Sequence, residues 1–98
     1  MKRSIQHCLF LIKVSTISVS GMVIVKPEDC EAMQSLIISR TGLFISLVAL
    51  KRIFGFEPAK FPPSLHTLDV LSQYCSYDNW DSYCEEQKKE ENLSHKPL

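Results

Sequence analysis

Arg40-Thr41-Gly42-Leu43-Phe44-Ile45-Ser46-Leu47-Val48-Ala49-Leu50-Lys51-Arg52-Ile53-Phe54-Gly55 writes a helix stop, a helix start and a second stop into one short stretch. A basic residue in a last turn followed by glycine is a C-terminal signal. The cation meets the negative end of the helix dipole, and glycine takes positive φ at no steric cost. Ser46 then offers a hydroxyl to the free N–H groups of a new helix over 47–54. Leu50, Ile53 and Phe54 share its inward face, Lys51 and Arg52 lie off that face, and Gly55 closes it. Upstream, Pro27 suits a first helical turn, and Glu28, Asp29 and Glu31 bring negative charge to the positive end of the dipole. Cys30, Met33, Leu36 and Ile37 give that helix an apolar face at spacings of three and four.

Outward from this pair the pattern stays helical. Residues 2–18 read as a helix with Ile5, Leu9 and Ile12 on one stripe and Lys2, Arg3 and Lys13 off it. β-Branched residues over 15–19 weaken its end, and Ser20-Gly21 breaks it. Residues 22–25 form a short extended piece. Pro58, Lys60 and Pro62 mark a connector, and Pro63-Ser64 opens a helix carrying Leu65, Leu68, Val70 and Leu71. Asn79 caps a last helix with Trp80, Tyr83 and Cys84 on its face. The fold class is all-α, a small bundle of four to five short helices. Residues 1–20 read as an N-terminal helix, either appended to a body over 21–86 or part of its core, and 87–98 as a charged, disordered tail. Leu50, Phe54, Leu68, Leu71 and Trp80 are the expected core.

Composition narrows the function. The chain has 98 residues, 45% hydrophobic and 22% charged, with a formal net charge of zero, which suits one small globular domain. The zero hides an asymmetry: residues 1–60 carry 8 basic and 4 acidic side chains, and residues 61–98 carry 3 basic and 7 acidic. The layout allows an anionic partner on the N-terminal two thirds; the alternative is that the acidic excess belongs to a solvated tail. Cys8, Cys30, Cys75 and Cys84 form no Cys-x-x-Cys pair, so no metal site is expected, and they read as free thiols of a reducing, cytoplasmic compartment. His7, His66 and His95 are scattered surface or helix residues. The apolar runs 8–12 and 43–50 are far short of the roughly 20 residues that span a membrane, so no membrane partner is expected. No paired carboxylates, activated nucleophile or phosphate-cradling loop is present in the sequence, so neither an enzyme nor a cofactor is expected.

Two helices joined by a tight glycine-containing turn form a helix-turn-helix arrangement, whose second helix enters the DNA major groove. Lys51 and Arg52 suit donation to guanine O6 and N7. Ser46 and Ser64, each opening a helix, with Arg40 and Lys60 near them, suit phosphate contacts. The expected partner is double-stranded DNA. On the alternative reading, Leu47 and Val48 form an apolar patch for a homodimer or another protein partner.

The string I-S-L-V-A-L-K-R-I-F-G-F over 45–56, then P-S-L-H-T-L-D-V-L over 63–71 and Y-C-S-Y-D-N-W over 74–80, resembles a bacterial module. That module has the form I-S-x-x-T-L-K-R-[LIF]-F-G-F, P-S-[LF]-x-T-L-[DN]-x-L-[AS]-x-Y and G-Y-x-[SN]-W, often with an upstream Asp-Cys pair, matched by Asp29-Cys30. Its S-x-x-T-[LI] and P-S-x-x-T-L pieces are similar to lambda-repressor-like (XRE-type) helix-turn-helix domains. The resemblance covers residues 20–86 and implies a transcriptional regulator or a fragment of one, since the family's domain commonly begins a longer protein. Four departures stand out. Ala49 replaces the family threonine, and Leu47 and Val48 put apolar groups on the reading helix. Leu43 and Phe44 lengthen the turn, and Ser76 replaces the glycine before the second tyrosine.

Overall fold

The computed structural model describes the backbone of residues 5–24 and 26–94, and the side chains of 7–24 and 26–89. Among these the chain forms five α-helices and no strand: α1 (Ile5–Ser20), α2 (Asp29–Thr41), α3 (Leu47–Ile53), α4 (Leu65–Tyr74) and α5 (Trp80–Ser94). The all-α bundle is therefore the fold. Lys2, Arg3, Val25, His95 and the side chain of Ile5 lie outside the described residues.

Each helix end is written locally. Thr41 hands α2 to Gly42, whose φ of 72° is left-handed and whose N–H donates to the Ile38 carbonyl at 2.8 Å. α3 ends in a Schellman motif. Gly55, at φ 85°, donates to the Arg52 carbonyl, and Phe56 reaches back to the Lys51 carbonyl at 2.8 Å. Ser46 and Ser64 cap α3 and α4, accepting from the N–H groups of Ala49 at 3.0 Å and Thr67 at 3.2 Å. The start of α2 differs from the others. Glu28 gives no side-chain cap, and instead the Asp29 carboxylate reaches back to accept from the Lys26 N–H at 3.0 Å.

One core joins the helices. α4 is its centre, in contact with α1, α2 and α5, and α2 also packs on α3. Met33, Ile37, Leu50, Val70 and Leu71 fill it, and Trp80 and Tyr83 close it from α5. Tyr83 stacks on Trp80 with ring centres 5.8 Å apart and meets Tyr77 edge-on at 5.0 Å.

α1 belongs to the body rather than standing apart from it. Cys8, Ile12 and Thr16 are buried along one face, with Ile12 only 1% exposed. The buried stripe is therefore rotated from the one carried by Leu9 and Ile12, and Leu9 is half-buried. The helix also holds its β-branched end. Thr16 Oγ1 donates to the Ile12 carbonyl at 2.7 Å, and the Ser15 hydroxyl bonds the Tyr83 hydroxyl at 2.9 Å. Hydroxyls satisfied in this way pass into a core that a hydropathy stripe does not mark.

Three other expectations are corrected. Leu36 and Leu65 face solvent. Phe54 is half-buried, with the Lys13 ammonium over its ring at 5.9 Å. The helix expected to give way to a disordered tail from residue 87 continues through Ser94. Glu, Gln and Lys are strong helix formers, and Lys89 pairs with Glu86 at 3.5 Å.

Candidate nucleic-acid interface

The turn between α2 and α3 is fastened from two sides. Gln34 of α2 donates its amide N–H to the Ile45 carbonyl at 2.8 Å. His66 of α4 donates from Nε2 to the Phe44 carbonyl at 2.9 Å. Ile45 fills the core as a plug between them, fully buried. The two residues that lengthen the turn, Leu43 and Phe44, are thereby accommodated: Leu43 packs on the core, and Phe44 projects outward, 65% exposed. The geometry of the α2–turn–α3 unit is therefore set by Gln34 and His66. Neither was singled out from sequence, because their partners lie 11 and 22 residues away.

Beside α3 runs a groove of about 780 Å³. Its floor and walls are Leu9 and Ile12 of α1, Ala49 and Ile53 of α3, and Leu68 of α4. The proline-rich connector supplies Pro58, Phe61, Pro62 and Pro63 along one edge. The groove gathers Ser46, Arg52, Lys60 and Ser64, four of the six residues picked for DNA, with Thr67 beside Ser64. No carboxylate stands among the described residues that line it. Ser64 Oγ is engaged twice, accepting from the Thr67 N–H and donating to Thr67 Oγ1 at 3.1 Å.

The other two DNA candidates do not line the groove. Arg40 donates from Nη2 to the Ser76 hydroxyl at 3.2 Å, and its guanidinium lies 5.5 Å from the centre of the Tyr74 ring. Lys51 is half-buried, and its charge reaches toward α2. Burial pushes the Cys30 thiol above its ordinary range, and the Lys51 ammonium opposes that rise. Successive residues on a helix diverge by about 100°, so Lys51 and Arg52 serve different faces. Leu47 packs against the core, whereas Val48 is 48% exposed.

The arrangement offers hydrogen-bond donors and cations over an apolar floor. It brings together no acid–base pair and no group of three metal-ligating side chains among the described residues. No helix among those residues is long and apolar enough to cross a membrane. The chain matches no family model, no curated protein and no solved structure.

Proposed function

We propose that the chain is a DNA-binding helix-turn-helix module of the regulatory kind, non-enzymatic, with α3 presented to the major groove. The observation that carries the reading is the set of Ser46, Arg52, Lys60 and Ser64 around one side of α3, without a carboxylate among the described lining residues. Arg52 is exposed and suits a base edge or a phosphate. Lys60 and the Ser46 hydroxyl suit phosphates, and Ser64 would join them by turning its proton away from Thr67 Oγ1. Arg40 and Lys51 contribute from neighbouring faces. The resemblance of residues 20–86 to lambda-repressor-like modules supports the same reading.

The test is fluorescence anisotropy with mixed-sequence duplex DNA over a salt series. Each neutralised phosphate contributes a slope of about −0.9 in log K against log salt. The expected wild-type slope is several units. Arg52→Ala with Lys60→Ala is expected to flatten it by about two. No binding at low salt, or an unchanged slope in the double variant, overturns the reading.

A second reading, a docking module for a protein partner on the same fold, is favoured by one feature. Phe44 is 65% exposed, Val48 48% and Leu65 62%, and the His66 bond brings the start of α4 to the turn that carries Phe44. On that reading Val48→Glu breaks a dimer or complex observed by sedimentation and leaves DNA affinity unchanged.

A further inference from the structure

The groove has more apolar surface than a phosphate backbone can use. A phosphodiester that met Arg52 and Lys60 would leave the half-buried Leu9 and Ile53 and the exposed Phe61 facing water. Leu9 of α1 and Ile53 of α3 line the inside, with the buried Ile12 and Leu68 beneath them, while both cations are exposed. Phe61, 80% exposed on the proline-rich connector, adds an aromatic face along one edge. The volume of about 780 Å³ lies in the range of small-molecule sites, roughly 300–1,000 Å³, which are mostly apolar with a few placed polar groups.

Charge selects among occupants. With two cations and no described carboxylate on the lining, the groove repels a cationic ligand and gives a neutral one no charge to set against Arg52 and Lys60. The guanidinium presents two parallel N–H donors that match one carboxylate, and the Lys60 ammonium adds a point charge. Ser46 and Ser64 line the same groove as the cations. An apolar body answers the floor, and a single anionic head answers the rim.

We propose that this groove is a binding site for a small amphipathic carboxylate, an aliphatic chain seated on Leu9, Ile53 and Phe61 with its carboxylate at Arg52 and Lys60. The occupant is the free monomer in water, not a bilayer lipid. Neither cation need touch DNA for this, and duplex DNA plays no part in the test.

The experiment is a titration of the full ¹⁵N-labelled chain with decanoate below its micelle concentration, followed by NMR. Decanol, which has the chain without the charge, and inorganic phosphate, which has charge without the chain, are titrated in parallel. Decanoate is expected to shift the amides of Leu9, Ala49, Ile53 and Thr67 in a saturable manner. Arg52→Gln with Lys60→Gln replaces exposed side chains only and keeps the spectrum of the folded chain. It is expected to weaken decanoate at least about tenfold, the weight of one charge-assisted hydrogen bond, and to leave decanol unchanged. Ala49→Phe, which fills the groove from α3, is expected to abolish both. Three outcomes overturn the proposal: decanoate shifts that are absent or lie elsewhere, equal affinity in the double variant, or phosphate binding as tightly as decanoate.

Discussion

Ser76 holds a φ of 74° with a side chain that makes the left-handed conformation costly. It does so because α4 ends in a Schellman motif: the Ser76 N–H donates to the Gln73 carbonyl at 3.0 Å and the Tyr77 N–H to the Ser72 carbonyl at 2.9 Å. The resembling module has glycine at this place. The serine hydroxyl accepts from Arg40, but at an exposed site that bond is worth little. Ser76→Gly is therefore expected to raise the unfolding free energy by about 0.5–1 kcal/mol, read from urea denaturation. A variant less stable than the wild type would show that the Arg40 contact outweighs the backbone strain. Asp69 is the opposite case, a residue whose side chain caps a helix other than its own. Its Oδ1 accepts from the Trp80 N–H at 2.8 Å, which fixes the start of α5 to α4. Asp69→Ala is expected to cost about 1–2 kcal/mol in the same assay, the range of a lost N-terminal cap. The caps from Ser46 and Ser64 were legible because a cap and its N–H lie three residues apart. Asp69, Gln34 and His66 were not, because their partners are brought near only by the fold.

Among the elements, α1 is where local pattern and tertiary role part most. Its buried face runs through Cys8, Ile12 and Thr16, so one of three inward positions is a hydroxyl that bonds its own helix. A stripe built on hydropathy alone passes over such a position and drifts to Leu9. The same blindness left open whether residues 1–20 were an appendage or part of the core. α2, α3 and α4 were legible because each pairs a local start or stop signal with an apolar face. The faces erred at the exposed Leu36 and Leu65, and Ile53 and Phe54 on the inward face of α3 are half-buried. The pair Lys51-Arg52 reads as one basic patch in sequence and is split by helical geometry, with Arg52 on the groove and Lys51 toward α2. If α1 is integral, truncating its central core residue acts globally. Ile12→Ala is expected to cost about 2–5 kcal/mol and to lower the single unfolding midpoint of the whole domain. Val48→Ala on α3 is expected to change stability by no more than about 0.5 kcal/mol. An Ile12→Ala chain that melts α1 separately, with the rest unchanged, would make α1 an appendage after all.

At the scale of the whole molecule, the core couples stability to alkaline pH through groups no single helix holds. Tyr83 is fully buried between α1 and its aromatic neighbours, and burial pushes its phenol from 10.0 up to about 12, with the Ser15 hydroxyl bond opposing. Burial likewise raises the thiols of Cys30 and Cys75, and raises Cys84 beside Cys8. Burial also raises the Tyr74 phenol, and all five groups hold their protons longer in the folded chain than in the unfolded one. Above an ordinary thiol value of 9.0 the unfolded chain begins to lose protons that the folded chain keeps. The number bound is then smaller in the unfolded state, so the unfolding free energy falls as pH rises. The contribution of Tyr83 is complete below pH 10 and is lost through about 12. Urea midpoints at pH 8, 9.5 and 11 are therefore expected to decline, and to decline faster over the second interval. Tyr83→Phe separates the phenol from the thiols. At pH 8 it costs about 1 kcal/mol for the lost bond to Ser15. Between pH 9.5 and 11 its midpoint is expected to fall less steeply than that of the wild type, because a phenyl ring has no proton to release. Parallel decline of the two chains over that interval would place the alkaline sensitivity in the thiols and the Tyr74 phenol, and Cys84→Ala and Tyr74→Phe would then tell those apart.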